Sequence, residues 1–312
     1  MLNLSEMQVF VVAAETENFS EAARRLHLSQ PSVSHHIRSL ENYLGVELFL
    51  RSGRGVALTD AGEVLLSMAR ELLDLSRRIE ETMRSLEGQV VGHLVIGCTT
   101  TAGKYVLPLV AAAFSQYHPN VQVTIEMCNC ASVVDPLLAR EVHLGVSSTK
   151  TVHRDMECQS FFTDHVVLVV PADHPFAHHP PVRPIELLNQ PFILREEGSS
   201  TCRMVQERLA EHGLSLDQLQ VVMVVGNAEA IEVAVEHGLG IAFISRLAAR
   251  HGLELERLVE VPVEGLRLER PLYVVRNSRC PKTPAQARFW DFVKEHRKGI
   301  SQALNRPPNS AS

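Results

Sequence analysis

A chain of 312 residues, 45% apolar and 21% charged, is long enough for two or three packed domains and excludes fibrous and wholly disordered classes. No basic segment followed by an apolar core opens it, no apolar run approaches a membrane span, and six irregularly spaced cysteines fit reduced thiols, so a cytoplasmic protein without membrane contact is expected. The net charge of −6 excludes a broadly basic nucleic-acid binder: within residues 1–62 the acids Glu6, Glu15, Glu17, Glu21, Glu41, Glu47 and Asp60 outnumber Arg24, Arg25, Arg38, Arg51 and Arg54.

Residues 4–15 read as a first helix, with Met7, Val9, Phe10, Val11 and Ala14 supplying a small core. Asn18 followed by Glu21 has capping-box spacing, and Ala22, Ala23 and Leu26 give a second short helix one apolar face. His27, Leu28 and Ser29 make a turn, Ser29 caps the next helix, and Pro31 sits in its first turn, where the missing N–H costs little. Val33, Ile37, Leu40 and Leu44 form the buried stripe of that third helix, leaving Pro31, Ser32, Ser34, His35 and Arg38 on the opposite side. Such a small, polar face suits the DNA major groove: Gln30 and His35 can reach base edges, and Ser32 and Ser34 phosphates. The competing reading is a helical hairpin whose polar face is merely solvated. Gly45 ends the helix, and Arg51 to Gly55 then forms a glycine-rich turn whose Arg51 and Arg54 are placed as a wing for phosphate or minor-groove contact.

One long helix runs from Ala61 to about Leu86. Leu65, Met68, Leu72, Leu75, Ile79, Thr82 and Leu86 keep heptad spacing, which reads as a dimerisation seam, or otherwise as packing on its own domain. Gly88 to Gly92 reads as a hinge. Beyond it, short apolar strands alternate with helices, the pattern of parallel sheets covered on their faces, and two such sets joined at Val166–Val170 imply two lobes and a cleft. Leu272–Val275 and a helix from about Pro284 to Arg297 return the chain to the first lobe.

The chain resembles the LysR-type transcriptional regulators. The likeness is carried by Phe10, Phe19, Ala22-Ala23, Leu26, Ser29-Gln30-Pro31-Ser32-Val33-Ser34, Ile37, Leu40-Glu41, Leu44-Gly45, Leu48-Phe49, Arg51 and Leu58-Thr59-Asp60-Ala61-Gly62, and more loosely by the sequence to about residue 297. The resemblance implies an α/β protein overall. Its parts are an all-α winged helix-turn-helix over 1–60, a linker helix over 61–87, a hinge over 88–92 and a bilobed sensor over 93–300 like periplasmic binding proteins. Lobe 1 takes about 93–165 and 271–300, lobe 2 about 166–270, and 301–312 is expected to be a disordered tail. As partners it implies an inverted-repeat operator in double-stranded DNA, a small effector, self-association from dimer to tetramer, and often RNA polymerase.

In parallel sheets, anions bind at the carboxyl ends of strands, where helix N-termini present free N–H groups. Three such ends are Cys98-Thr99-Thr100-Thr101, Asn129-Cys130-Ala131-Ser132 and Gly198-Ser199-Ser200-Thr201, with Asn227 capping a further helix. Each alone reads as an N-cap. Together, in the resembling family, they face one cleft, which makes Thr99, Thr100, Thr101, Cys130, Ser199, Ser200, Thr201 and Asn227 the effector candidates for a small, anionic metabolite. Three departures from the family pattern bear on that effector: Cys130 for Thr, Cys202 for Arg, and His143 for Asp.

Cys98, Cys130 and Cys202 raise the alternative of a thiol-based redox or metal sensor, against buried structural cysteine. Gly97 to Lys104 is one residue too long for a phosphate-binding P-loop, and Tyr105 stands where Ser or Thr should hold magnesium. No catalytic constellation, cofactor motif or metal-ligand set stands out, so no enzyme is expected. The reading from another class is a metabolite-binding protein whose helical N-terminus serves only assembly. Leu194 to Ser199 resembles members that control carbon fixation or sulfur and nitrogen assimilation.

Overall fold

The computed structural model describes residues 2–52, 55–86, 89–128 and 133–305. Contacts divide the chain into two compact units, one built on Met1–Gly92 with Leu138–Glu141 and Lys282–Ala285, the other on the remainder.

The first unit opens with α1 (Leu4–Thr16), α2 (Phe19–Leu26) and α3 (Gln30–Leu44). Their ends are set by local chemistry. The Asn18 side chain accepts from the amides of Ser20 and Glu21 at 2.9 and 3.2 Å, and Ser29 accepts from Ser32 N. The capping box is one-sided, because the Glu21 carboxylate turns to Arg24 and Arg25. Gly45 closes α3 at φ 72°, a left-handed conformation that glycine adopts without strain. Met7, Phe10, Val33, Ile37, Leu40 and Leu48 are buried as one core, each such side chain contributing about 1.5–3 kcal/mol by leaving water. An antiparallel hairpin of β1 (Phe49–Ser52) and β2 (Gly55–Leu58) follows, then α4 (Asp60–Ser85). Gly62 lets α4 start hard against the domain, since a Cβ there would stand 2.3 Å from the Leu48 carbonyl oxygen.

The helix α4 carries two apolar stripes rather than one. Leu65 and Leu72, expected in the seam, pack instead against the helical core. Met68, Leu75, Ile79 and Leu86 are exposed together with Val64. At 100° per residue these five fall within about 60° of one another.

The second unit starts with β3 (Gly92–Cys98), a π-helical turn at Ala102–Val106, α5 (Leu107–Tyr117), β4 (Val121–Met127), α6 (Val134–Leu138) and β5 (Leu144–Ser147). The strand β6 (Met156–Pro171) then crosses to the second lobe, made of α7 (Pro175–His178), β7 (Pro191–Arg195), α8 (Ser200–Glu211), β8 (Gln220–Val225), α9 (Ala228–Glu236), β9 (Ile241–Ser245), α10 (Arg250–Glu254) and β10 (Leu258–Val261). The return is β11 (Glu269–Asn277), followed by α11 (Pro284–Glu295) and α12 (Arg297–Asn305). Strand order is β4-β3-β5-β11-β6-β9-β7-β8, with β10 beside β6.

The sheets are mixed, not purely parallel. Within the lobes β3 pairs β5, and β7 pairs β8 and β9, in parallel. The strands that change lobes run against their neighbours: β6 is antiparallel to β11 up to His165 and to β9 from Val166. The expected tail over 301–312 begins with helix. The helix α12 runs five residues past 300, because Ile300 and Leu304 recur one turn apart and are buried. Among the described residues no helix is long and apolar enough to cross a membrane.

Candidate DNA interface and effector cleft

On α3, Gln30, Pro31, His35 and Arg38 are exposed, and Ser32 and Ser34 partly so, while Val33, Ile37 and Leu40 anchor the opposite face. The first turn is already ordered by its own side chains: Ser29 and Ser32 hydroxyls lie 2.8 Å apart, and Gln30 Nε2 donates to Ser34 Oγ at 2.9 Å. The helix therefore presents a pre-arranged polar tip with its positive dipole end forward, the geometry that phosphate and base edges select. The backbone of Arg51 pairs with Val56 in the hairpin. Arg54 lies outside the described residues.

Between the two lobes of the second unit lies a cavity of about 480 Å³. Thr99, Thr100 and Thr101 enter it from lobe 1, and Ser199 and Ser200 from lobe 2. Ser199 caps α8 by accepting from Cys202 N at 3.0 Å, which leaves its hydroxyl proton free to donate. Thr201 is buried beneath the wall rather than on it. Asn227 does not line the cavity. Its side chain accepts from the amides of Glu229 and Ala230, the capping role, and its neighbour Gly226 reaches the wall instead. Cys130 lies outside the described residues.

Several lining groups were missed from sequence. Ser147, the last residue of β5, and Ser148 and Thr149 after it stand at the same kind of strand end as Thr99–Thr101. Arg195 donates to both oxygens of Glu196 at 2.7 and 2.8 Å, which holds the Glu196 carboxyl below its usual range. With Arg203 and Glu197 also present, the charged rim is balanced. Lys104 on the π-helical turn donates to both oxygens of Glu229 on α9, at 2.8 and 2.9 Å, a link between the lobes. Beneath the cleft, on the crossing strands, lies a fully buried pair, Asp164 of β6 and Arg270 of β11, directly opposite each other in the sheet register.

Cys98 and Cys202 are poor redox candidates in this setting. Cys98 is wholly buried, and burial with Cys128 nearby pushes its thiol up to about 12. Burial and the Glu196 and Glu197 carboxylates likewise push the Cys202 thiol up. A thiol must ionise to react, so iodoacetamide at pH 8 should label Cys98 in the native chain at least about a hundredfold more slowly than a free cysteine. Peptide mass spectrometry after timed labelling checks this, and rapid labelling of Cys98 would contradict it. Among the described residues no group of three or more His, Cys, Asp or Glu could hold a metal ion.

Comparison with known proteins extends these observations along the whole chain. Residues 4–63 match the model of the bacterial regulatory helix-turn-helix protein, lysR family, and residues 87–298 match the LysR substrate binding domain. An uncharacterised HTH-type transcriptional regulator of Methanocaldococcus jannaschii is 34% identical over 93% of this chain and 98% of its own length. The RuBisCO operon transcriptional regulator of Allochromatium vinosum is 32% identical over 94% and 95%. Among solved structures, CbnR, a LysR family transcriptional regulator determined full-length with its target DNA, superposes with a TM-score of 0.68 at 24% identity, covering 94% of this chain and 99% of that one. The regulatory domain of CcmR from Synechocystis PCC6803, in complex with 2-PG, gives 0.60 at 24% identity over 67% and 99%. A recognition-type helix ahead of a linker helix, a hydroxyl-lined cleft between two lobes, and family matches over both halves lead to one assignment: the chain belongs to the LysR family of transcriptional regulators.

Proposed function

We propose that this regulator reads an inverted-repeat operator with Gln30, Pro31, Ser32, Ser34, His35 and Arg38 of α3, steadied on phosphates by Arg51 and Arg54. Copies pair through the exposed stripe of α4 to present two reading helices. The cleft takes a small oxyanion, whose closure of the lobes changes operator occupancy. The protein works in the cytoplasm and catalyses no reaction. The observation that carries the effector reading is the convergence of Thr99–Thr101 and Ser199–Ser200, each at the start of a helical segment, on one cavity from opposite lobes. Helix N-termini and hydroxyl donors together suit an anion. The relatives that regulate RuBisCO operons, and the CcmR domain with 2-PG, support a metabolite of carbon assimilation as the effector.

Genome-wide immunoprecipitation, with footprinting of the strongest site in the presence and absence of 2-PG, tests this reading. An inverted repeat whose protection pattern changes with 2-PG is expected. No enriched site, with purified protein failing to retain DNA at low salt, would overturn it. On the strongest site, His35→Ala should change which base pairs are preferred while leaving the salt slope nearly constant, because an imidazole at a base edge reads sequence whereas counterion release follows phosphate contacts. A uniform loss on all sequences would place His35 outside base readout.

A further inference from the structure

The floor of the cleft holds a group that does not line this cavity yet governs what the cavity offers. Arg270 is 2% exposed and Asp164 0%. The four hydrogens on the terminal nitrogens of Arg270 have four acceptors. Nη1 donates to Ser200 Oγ at 2.7 Å and Thr201 Oγ1 at 3.2 Å, and Nη2 donates to Thr101 Oγ1 at 3.2 Å and to Asp164 Oδ2. The other oxygen of Asp164 accepts from Ser245 Oγ at 2.7 Å. The terminal nitrogens are thus saturated and have no hydrogen to spare for a ligand, while Nε is buried without a partner.

Its effect passes through the hydroxyls. A serine or threonine hydroxyl has one proton to donate and two lone pairs to accept. When a permanently charged guanidinium donates to the oxygen, one lone pair is used and the hydroxyl proton is driven away from the cation. Thr101 and Ser200 both line the cavity, one from each lobe. We propose that Arg270 is a positioning residue that fixes the ligand class of the cleft: by holding the Thr101 and Ser200 oxygens as acceptors, it turns their protons into the cavity as donors from both lobes, so that the cleft selects an oxyanion and rejects a cation. This rests on the cleft being the effector site. The same guanidinium grips a hydroxyl of each lobe, so both donors are set together in this arrangement of the lobes.

The test uses the full chain and reads the thermal unfolding midpoint against sulfate, phosphate and 2-PG, with choline as the cation, at ionic strength held constant by chloride. The wild type should respond saturably to at least one anion and not to choline. Arg270→Gln combined with Asp164→Asn removes both charges while keeping hydrogen-bonding groups in place, and should need at least about tenfold more anion for the same shift, the scale of one lost charge-assisted arrangement. Should that pair fail to fold, Thr101→Val and Ser200→Ala keep the ion pair and should each weaken the anion response several-fold. Anion binding as tight as wild type in the paired variant, or in both single variants, would overturn the role of Arg270. Ser199→Ala separates the two readings, because Ser199 lines the cavity without bonding to Arg270. If it weakens the response while the Arg270 variants do not, the cleft stands and the Arg270 proposal falls. If the wild type responds to no anion, both fall.

Discussion

Asp164→Ala should lower the stability of the sensor domain by about 3–5 kcal/mol, the range for breaking a buried ion pair by removing one partner. The cost is large because Arg270 cannot escape it. The guanidinium stays charged at any accessible pH, sits 2% exposed on a central strand, and would keep only three hydroxyl partners. Ser245 Oγ would lose its acceptor in the same step. Neutralising both members should recover most of the loss, since two uncharged groups of similar size leave no uncompensated charge behind. An exposed pair gives the contrast: Glu254→Ala removes only the i,i+4 partner of Arg250 on α10 and should change stability by about 0.3–0.5 kcal/mol. Denaturant unfolding of the full chain, followed through the transition of the second unit, measures all three variants. A loss below about 1 kcal/mol for Asp164→Ala would mean that Arg270 finds solvent or another acceptor and is not held in place by the pair.

The contrast between α3 and the Asp164–Arg270 pair shows what a sequence makes readable. Asn18, Ser29 and Gly45 act on backbone groups within three or four residues, so caps and helix limits in the first unit could be placed from spacing alone. The hydroxyl runs at Thr99–Thr101 and Ser199–Ser200 were readable for a similar reason, since each follows an apolar strand and opens a helix. Ser147–Thr149 ends an apolar strand without opening a helix, so it carries only half of that signal. The pair beneath the cleft is different. Its partners stand 106 residues apart and meet only through the register of two crossing strands. The available hint was an ionisable residue within each apolar strand run, Asp164 before Val166–Val170 and Arg270 before Leu272–Val275, where an unpaired charge would be too costly to bury. The division of apolar residues on α4 was beyond heptad spacing for another reason. Adjacent stripes face the domain core and the solvent, and a repeat that samples both cannot say which residue faces which.

If copies pair through α4 as proposed, replacing Leu75 and Ile79 together by lysine should dissociate them. Both side chains are exposed in the single chain, at 46% and 54%, on a stripe that also carries Val64, Met68 and Leu86. A stripe of that length along a 26-residue helix exposes more apolar surface than hydration favours, and a second copy of the same helix is the simplest cover for it. Burying two such side chains contributes about 3 kcal/mol at the low end, so their loss alone should weaken pairing at least about a hundredfold, and two lysines facing two lysines add repulsion. The helical core beneath should be untouched, because Leu65, Leu66, Ala69, Leu72 and Leu73 pack on the other stripe. Light scattering at micromolar protein should therefore give a mass at most half that of the wild type, with an unchanged unfolding midpoint for the first unit. Operator binding should fall further than pairing does at low protein concentration, since a single reading helix engages one half-site and loses the effective concentration its partner supplied. A double variant that kept the wild-type mass and protected both half-sites would show that assembly runs through other surfaces and that the α4 stripe meets something else.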